Sequence, residues 1–327
     1  MTRMSALVDG SPLHAMPAGV SWQARLLNRF FRHTVKHAVQ NKGLSPRAVR
    51  CVIRLLEWIP RRFRDLATVH QFAIAGVPCD VVYPLNPPAK ERVILYLHGG
   101  GFFVHLPHSY KQFARRLADA LGATVIVPAY RLAPEHRYPA ATDDCLAVYD
   151  ALVADGCDPR TLAIMGDSAG GNLVLVTLLR ARDAGMALPC CAIAISPGAD
   201  LTLSGDSYVS NAQADPFIPV DVLKRLVAQY ADVDQLTDPY VSPMLGDFTG
   251  LPPLKILVGS TEVLRDSSIT TAQTSSQSGV QVDLQVWRDM PHVFPLFSYL
   301  PEARAAMAAM AQFFDHHALH AHPITTH

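Results

Sequence analysis

The sequence lacks an excess of charge of either sign, because its 327 residues include 28 basic and 28 acidic side chains. A neutral chain gives no overall reason to expect a nucleic acid or another highly charged partner. It also lacks a run of about 18 apolar residues, so no segment predicts a membrane span. Residues 1–20 lack the apolar run of a signal peptide. We therefore expect a cytoplasmic protein with no nucleic-acid partner.

Cysteine pairs at the spacing of metal or redox sites are also absent. The six cysteines are scattered, none forms a CxxC pair, and Cys190 and Cys191 are adjacent. We interpret them as free thiols in a reducing compartment. Several of the 14 histidines lie near the C-terminus: His316, His317, His320, His322 and His327. They show no zinc-site spacing, so the sequence predicts neither a metal nor a cofactor.

Basic side chains crowd one early stretch, residues 25–64. Within it, apolar residues recur at helical spacing from Trp22 to Val39, with basic residues on the other side. A second helix is predicted to begin with Ser45 as N-cap and Pro46 at the first helical position. We expect both helices to pack on the main domain as a cap region over residues 1–66. The alternative is a basic amphipathic helix on a membrane surface.

The rest of the chain, residues 67–327, alternates between short apolar runs and helical stretches. The runs are nearly continuous in apolar character, as in a parallel sheet covered on both faces. They are Val93–Leu97, Thr124–Val127, Leu162–Met165, Ala192–Ile195, Leu254–Val258 and Val282–Val286. The helical stretches are Tyr110–Leu121, Ala140–Ala154, Ala169–Ala184, Val263–Ser278 and Glu302–Phe314. This alternation predicts an α/β fold.

A segment at about residues 200–248 is too long to be a plain connection between a strand and a helix. It contains a predicted helix over Val220–Tyr230. Long connections at the carboxyl ends of strands usually cover an active site. We therefore expect this insertion to complete the cap.

The segment Gly166–Gly170 reads Gly-Asp-Ser-Ala-Gly and matches G-x-S-x-G between a predicted strand and a predicted helix. That context is typical of a nucleophile elbow, in which a strained turn holds the serine. Glycine is needed on either side because a side chain there would collide with neighbouring elements. The alternative is a serine that only caps the helix. The strand and the helix favour catalysis, and we predict Ser168 as the nucleophile.

A second glycine-rich segment, His98-Gly99-Gly100-Gly101, directly follows the strand that ends at Leu97. Three glycines leave backbone N–H groups uncovered, so two of them can point at one oxygen, as an oxyanion hole requires. We predict Gly100 and Gly101 as donors, with the N–H of Ala169 as the third. His98 is interpreted as a structural hydrogen-bonding residue, and a flexible turn is the alternative for the whole segment.

Three motifs in sequence order give the chain a family resemblance. They are HGGGF at His98–Phe102, YRLAPEHRYPAA at Tyr130–Ala141 and GDSAGGN at Gly166–Asn172. Over about residues 70–315 the chain resembles the hormone-sensitive-lipase-like branch of the α/β hydrolases, the bacterial family IV esterases. The resemblance implies an α/β-hydrolase fold: an eight-stranded, mostly parallel sheet flanked by helices, with a helical cap. It also implies that no cofactor is used and that short acyl chains are preferred.

The same fold places the acid and the base late in the chain. The family has its histidine in the loop after the last strand, and here that loop, Asp289–Phe294, reads Asp-Met-Pro-His-Val-Phe. A lone histidine among 14 means little, and the alternative is a surface residue. The position after the last strand decides the choice, and we predict His292 as the general base.

The acid is a choice between two carboxylates. Most relatives carry D-x-L-x-D after the strand that precedes the last, and here Glu262–Asp266 reads Glu-Val-Leu-Arg-Asp. Glu262 occupies the position of the first aspartate, and the role needs only a carboxylate on the histidine Nδ1–H. We predict Glu262 as the acid. Asp266, whose expected task is to brace the loop, is the alternative.

These residues predict a serine carboxylic-ester hydrolase that acts on short-acyl esters through an acyl-enzyme intermediate. A lactone or amide hydrolase with the same triad is the alternative among enzymes. A non-catalytic receptor on the same fold is disfavoured because His292 is retained, and a membrane-surface lipase would use the basic N-terminal helix. The expected partner is a small-molecule ester, and the sequence leaves a homodimer open.

Overall fold

The computed structural model describes residues 19–36, 69–86, 91–105 and 107–319, and it contains an eight-stranded sheet in the order β1-β2-β4-β3-β5-β6-β7-β8. The strands are β1 Val69–Ile74, β2 Val77–Val82, β3 Val93–Leu97, β4 Thr124–Pro128, β5 Leu162–Asp167, β6 Cys191–Ile195, β7 Leu254–Gly259 and β8 Val282–Trp287. Strand β2 is antiparallel to β1 and β4, and β3 to β8 are parallel. The predicted α/β fold with a mostly parallel sheet is confirmed.

Helices precede, connect and follow the strands. Those in the described ranges are α1 Trp22–Phe31, α2 Pro107–Leu121, α3 Ala140–Ala154, α4 Ala169–Asp183, α5 Ser207–Ser210, α6 Val220–Tyr230, α7 Arg265–Gln277 and α8 Pro301–Leu319. A π-helical turn, Arg32–Lys36, continues α1. In these ranges no helix is both long enough and apolar enough to cross a membrane.

The six apolar runs are all strands, with ends within two residues of those predicted. The two antiparallel strands, β1 and β2, were not located from the sequence pattern. Four of the six residues of β1 are exposed at the sheet edge. Such a strand has no buried apolar run, which is the signal that identified strands β3 to β8.

Most predicted helices are also confirmed; α3 and α6 have the predicted bounds, and the others have shifted ends. Helix α2 begins three residues early, at Pro107, since proline suits the first turn of a helix. Helix α7 begins at Arg265 rather than Val263, because residues 260–264 form turns that connect the end of strand β7 to the helix. The second N-terminal helix at Ser45, the boundary between residues 66 and 67, and the tail histidines from residue 320 onward lie outside the described residues.

The core has two layers, one on each face of the sheet. In strand β3, Ile94 and Tyr96 face a layer that contains residues of α1, α2 and α8. Val93, Leu95 and Leu97 alternate with them and face the layer of α3 and α4. Burial on both faces explains why the central strands read as continuous apolar runs.

Helix α1 is attached to the main domain through its N-terminus. The backbone N–H and the hydroxyl of Ser21 donate to the Glu302 carboxylate at 2.7 and 2.9 Å. Leu27 and Phe31 are buried, whereas three residues of the same apolar pattern are exposed: Trp22, Leu26 and Phe30. The apolar residues that predict α1 therefore lie on two sides of the helix. Only one of these sides packs on the described domain.

The insertion at about residues 200–248 packs on the glycine-rich loop that follows β3. The Tyr230 ring of α6 stacks on Phe102 with centroids 3.7 Å apart. The backbone N–H of Tyr138 donates to the Tyr230 carbonyl at 2.9 Å. Leu226, also on α6, lies so close to Gly101 that a Cβ there would be 3.0 Å from its Cδ1. The insertion thus contacts the loop predicted to bind an oxyanion.

Candidate active site

Ser168 sits at the sharp turn between β5 and α4. Its φ of 54° lies in the left-handed region, where a residue with a Cβ is strained. A Cβ at Gly166 would come within 2.6 Å of the Gly170 and Leu97 carbonyl oxygens, and one at Gly170 would overlap the Leu97 oxygen. Both flanking glycines are therefore required by close backbone packing, as the sequence predicted.

The structure brings Ser168, His292 and Glu262 together. The Ser168 Oγ is 2.9 Å from His292 Nε2, and His292 Nδ1 is 2.7 Å from Glu262 Oε2. Glu262 follows β7 and His292 follows β8, so the carboxyl ends of neighbouring parallel strands bring both side chains to one edge. His292 is buried and Glu262 is fully buried, which keeps their pairing out of water.

The second oxygen of the Glu262 carboxylate is also held. Oε1 accepts hydrogen bonds from the Gly259 N–H at 2.6 Å and from the Ser196 hydroxyl at 2.8 Å. Ser196 directly follows β6 and has a positive φ of 47°. Ser196 was not among the predicted site residues, although its place after a buried strand is a usable signal. Its hydroxyl also accepts from the Val293 N–H at 3.3 Å, which links the acid to the loop of His292.

Asp266, the alternative acid, points its hydrogen bonds elsewhere. Its carboxylate accepts from the Ser207 N–H at 2.8 Å and pairs with Arg265 Nε at 2.8 Å. Its own N–H donates to the Ser207 hydroxyl at 3.1 Å. Asp266 thus ties the first turn of α7 to the insertion, while the carboxylate on His292 is that of Glu262.

Two opposing effects set the pKa of His292. Burial by itself would lower it, but the hydrogen bond and the charge of Glu262, together with the charges of Asp215 and Asp167, outweigh the burial. The pKa of His292 is therefore raised above its ordinary value of 6.5. Stabilisation of the imidazolium is the property that a base needs when it accepts a proton.

A buried carboxylate anchors the glycine-rich loop after β3. Asp167 accepts from the Tyr96 hydroxyl at 2.7 Å, the Tyr110 hydroxyl at 2.9 Å and the Gly99 N–H at 3.0 Å. A Cβ at Gly99 would overlap the Asp167 carboxylate. The residue before the serine in the elbow therefore fixes the position of the neighbouring loop.

The predicted oxyanion donors belong to this loop, at Gly100 and Gly101, and to the start of α4, at Ala169. Gly100 has a φ of 111°, and a Cβ there would overlap the Val104 carbonyl oxygen. Among the hydrogen bonds of residues 19–36, 69–86, 91–105 and 107–319, none uses the N–H of Gly100, Gly101 or Ala169 as donor. Within the described part of the chain, these three N–H groups are thus not engaged in hydrogen bonds.

His98 is a structural part of the loop by its surroundings. Its ring stacks between those of His105 and Tyr130, with centroids 4.5 and 4.3 Å away. Its Nδ1 is 2.7 Å from the Gly99 oxygen, and the Tyr130 hydroxyl donates to the His98 carbonyl at 2.6 Å. Burial, with a smaller contribution from His105, lowers the pKa of His98 to about 3. The ring is therefore neutral at physiological pH.

A family model with an alpha/beta hydrolase fold matches residues 94–296. The acetyl-hydrolase of Streptomyces hygroscopicus is 38% identical over 264 residues, which are 78% of this chain and 88% of that protein. The chain belongs to the α/β hydrolases. An esterase of Acinetobacter venetianus is 33% identical over 302 residues, 91% of this chain and 98% of the other.

Solved structures place this hydrolase in a narrower group. The crystal structure of an esterase from the bacterial hormone-sensitive lipase family matches with a TM-score of 0.83 and 32% identity, over 92% of this chain and 99% of that one. The resemblance inferred from the three motifs is confirmed. This α/β hydrolase is a carboxylesterase of the hormone-sensitive-lipase-like group.

Proposed function

We propose that the protein hydrolyses short-acyl carboxylic esters through an acyl-enzyme intermediate on Ser168. The observation that carries the proposal is the continuous contact from the Ser168 Oγ through His292 to Glu262, at 2.9 and 2.7 Å. A hydroxyl, an imidazole and a buried carboxylate in this order make up an activated nucleophile.

In the proposed reaction the Ser168 Oγ attacks the ester carbonyl carbon while its proton passes to His292 Nε2. The oxyanion that forms accepts hydrogen bonds from the N–H groups of Gly100, Gly101 and Ala169. The carbon–oxygen bond to the alcohol then breaks, and His292 gives its proton to the leaving oxygen. Water repeats the sequence on the acyl-enzyme and releases the carboxylic acid with Ser168 restored. Glu262 stabilises the imidazolium in both halves.

Two bulky side chains of the insertion support a short acyl group. Leu226 lies beside Gly101 of the glycine-rich loop, and the Phe217 ring centroid is 5.8 Å from that of His292. The name of the Streptomyces hygroscopicus relative, acetyl-hydrolase, agrees with a small acyl group. We therefore expect the highest kcat/KM for acyl chains of about two to eight carbons.

A series of aryl esters of increasing acyl length tests this proposal with the purified protein. We expect kcat/KM to peak within the short range, and Ser168→Ala to lose at least about a thousandfold in kcat. An ester with about sixteen acyl carbons is about twice as long as the longest preferred chain. Faster turnover of that ester, with the substrate dissolved as single molecules, would overturn the acyl preference. A matched lactone or anilide that reacts faster than its ester would move the assignment to the alternative hydrolase classes.

A further inference from the structure

The turn that carries Glu262 is clamped by the insertion. The carbonyl oxygen of Glu262 accepts from the side-chain amide of Asn211 at 2.8 Å. The next N–H, that of Val263, donates to Asp215 Oδ2 at 2.9 Å. One peptide plane is therefore held on both sides, so the backbone of Glu262 cannot rotate without breaking a buried hydrogen bond.

Asp215 is itself held rigidly. Its side chain is fully buried, and Oδ1 accepts from the N–H groups of Phe217 and Ile218 at 2.8 and 3.0 Å. Both carboxylate oxygens thus accept backbone N–H groups, which fixes the orientation of the side chain. Any displacement of the loop at Ala212–Asp215 would be transmitted through this carboxylate to Val263.

That loop is fixed in turn by a lysine of the N-terminal region. Lys36 ends the π-helical turn after α1, and its ammonium group donates to the carbonyl oxygens of Ala212 and Asp215, each at 2.7 Å. Arg32, one turn earlier, donates to the Ala214 carbonyl at 3.3 Å. Three carbonyl groups of one short loop therefore face two cations from one helical turn.

Burial of this lysine is unusual. Lys36 is 5% exposed, and a buried ammonium group is unfavourable unless its hydrogen bonds are satisfied. Burial lowers the pKa of Lys36, while the charge of Asp215 opposes that effect and the charge of Arg32 adds to it. An exposed lysine elsewhere on α1 would help to hold the helix on the main domain without losing its hydration. The burial of Lys36 therefore indicates that its charge is needed at this loop.

Phe217, two residues after this loop, also contacts the base. Phe217 lies between Phe31 of α1, with ring centroids 4.9 Å apart in an edge-on arrangement, and His292, at 5.8 Å. The N-terminal region therefore reaches the acid through Lys36 and Asp215, and the base through Phe31 and Phe217.

We propose that Lys36 is a positioning residue that couples the N-terminal helix, through Asp215, to the turn of Glu262. This inference rests on the proposed function, since it assigns Lys36 a role for the acid of that same triad. It adds that the N-terminal region helps to set the geometry of the chemistry.

Lys36→Met, Lys36→Arg and Lys224→Met, all in the full-length protein, test the coupling. Lys224 is an exposed residue of α6 and provides a matched control for the same substitution. Esterase kinetics on one short aryl ester give kcat and KM. Hydrogen–deuterium exchange of the peptide that spans residues 259–266 measures the protection of its backbone N–H groups, including that of Val263. This measurement does not depend on activity.

We expect Lys36→Met to lower kcat by about ten- to a hundredfold, a fraction of what loss of a triad acid costs, with little change in KM. Exchange at residues 259–266 should become faster. Lys36→Arg should restore most of the rate, and Lys224→Met should match the wild type in both measurements. Unchanged kcat and unchanged exchange in Lys36→Met would overturn the inference.

Should Lys36→Met fail to fold, Lys36→Gln takes its place, because the glutamine amide can still donate to one of the two carbonyls. Wild-type kcat and exchange in a folded Lys36→Gln would overturn the inference equally. A wild-type protein without esterase activity would instead contradict the proposed function. The exchange measurement separates the two failures, because it reports the link from Lys36 to the Glu262 turn in either case.

Discussion

The Glu262 carboxylate meets the His292 ring with Oε2 2.7 Å from Nδ1, while its other oxygen is occupied by Gly259 and Ser196. Both oxygens of this fully buried carboxylate therefore take part in hydrogen bonds. An amide in its place would present an NH₂ group either to the histidine or to the two donors. The choice between the two carboxylates of this region therefore has a clear kinetic test.

We predict that Glu262→Gln lowers kcat by about a hundred- to ten-thousandfold, as loss of a triad acid does. Asp266→Asn should lower it by less than about thirtyfold, because Asp266 bonds to Ser207 and Arg265 and only braces the turn. Steady-state kinetics on the two purified variants measure both effects. If Asp266→Asn were the more damaging while still folded, Glu262 would be the wrong acid.

The raised pKa of His292 fixes the direction of the pH dependence. Only the neutral ring can accept the serine proton, so kcat/KM should fall as the pH drops through a value above 6.5. Asp215→Asn removes a charge that raises this pKa, so the acid limb of the profile should move to lower pH. A pH–rate profile of both proteins checks the shift. A flat profile between about pH 5 and 8 would be incompatible with His292 as the base.

Asp167 offers a test of the loop anchor. Asn in its place keeps one acceptor oxygen but presents an NH₂ group to at least one of three donors: Tyr96, Tyr110 and Gly99. We expect Asp167→Asn to lower the free energy of unfolding by about 1–3 kcal/mol and to reduce kcat through a loosened loop. Urea unfolding and kinetics measure the two effects. Wild-type values of both would show that the anchor is dispensable.

Gly100 and Gly76 both have a positive φ. Alanine substitutions at these two positions separate the backbone strain of a side chain at positive φ from the displacement of the glycine-rich loop. Gly100→Ala would force a Cβ onto the Val104 carbonyl and displace the loop, so kcat should fall at least about a hundredfold. Gly76 has a φ of 78° in the β1–β2 turn, and apart from its chain neighbours no described residue lies within 4 Å of the Cβ position. Gly76→Ala should cost about 1–2 kcal/mol in unfolding free energy and leave kcat unchanged. Equal kcat losses in both variants would argue against a special role of the loop.

The sequence was sufficient wherever the signal is local. The elbow around Ser168 needs glycines within two residues on either side, and the clash with the Leu97 carbonyl explains them. The five strands β3 to β7 read as apolar runs because both of their faces are covered. Strand β1 gave no such signal, since most of its residues are exposed.

The residues that support the acid could not be predicted in this way. Ser196 contacts Glu262 across 66 residues of sequence, and Asp215 contacts Val263 across 48. Their roles depend on which strand ends lie side by side and on the path of the insertion, and neither property appears in a local pattern. Lys36 is a further example, because a basic residue on an amphipathic helix reads as exposed until its partners 176 and 179 residues away are known.

Covalent labelling is the most direct test of Ser168 as the nucleophile. The purified protein is treated with an organophosphate, digested, and analysed by mass spectrometry for the modified residue. We expect one phosphoryl adduct, on the peptide that contains Ser168, with loss of esterase activity in proportion to labelling. Ser168→Ala should remain folded and take up no label. An adduct on a different serine, or full activity in a protein whose Ser168 is fully labelled, would contradict the proposed mechanism.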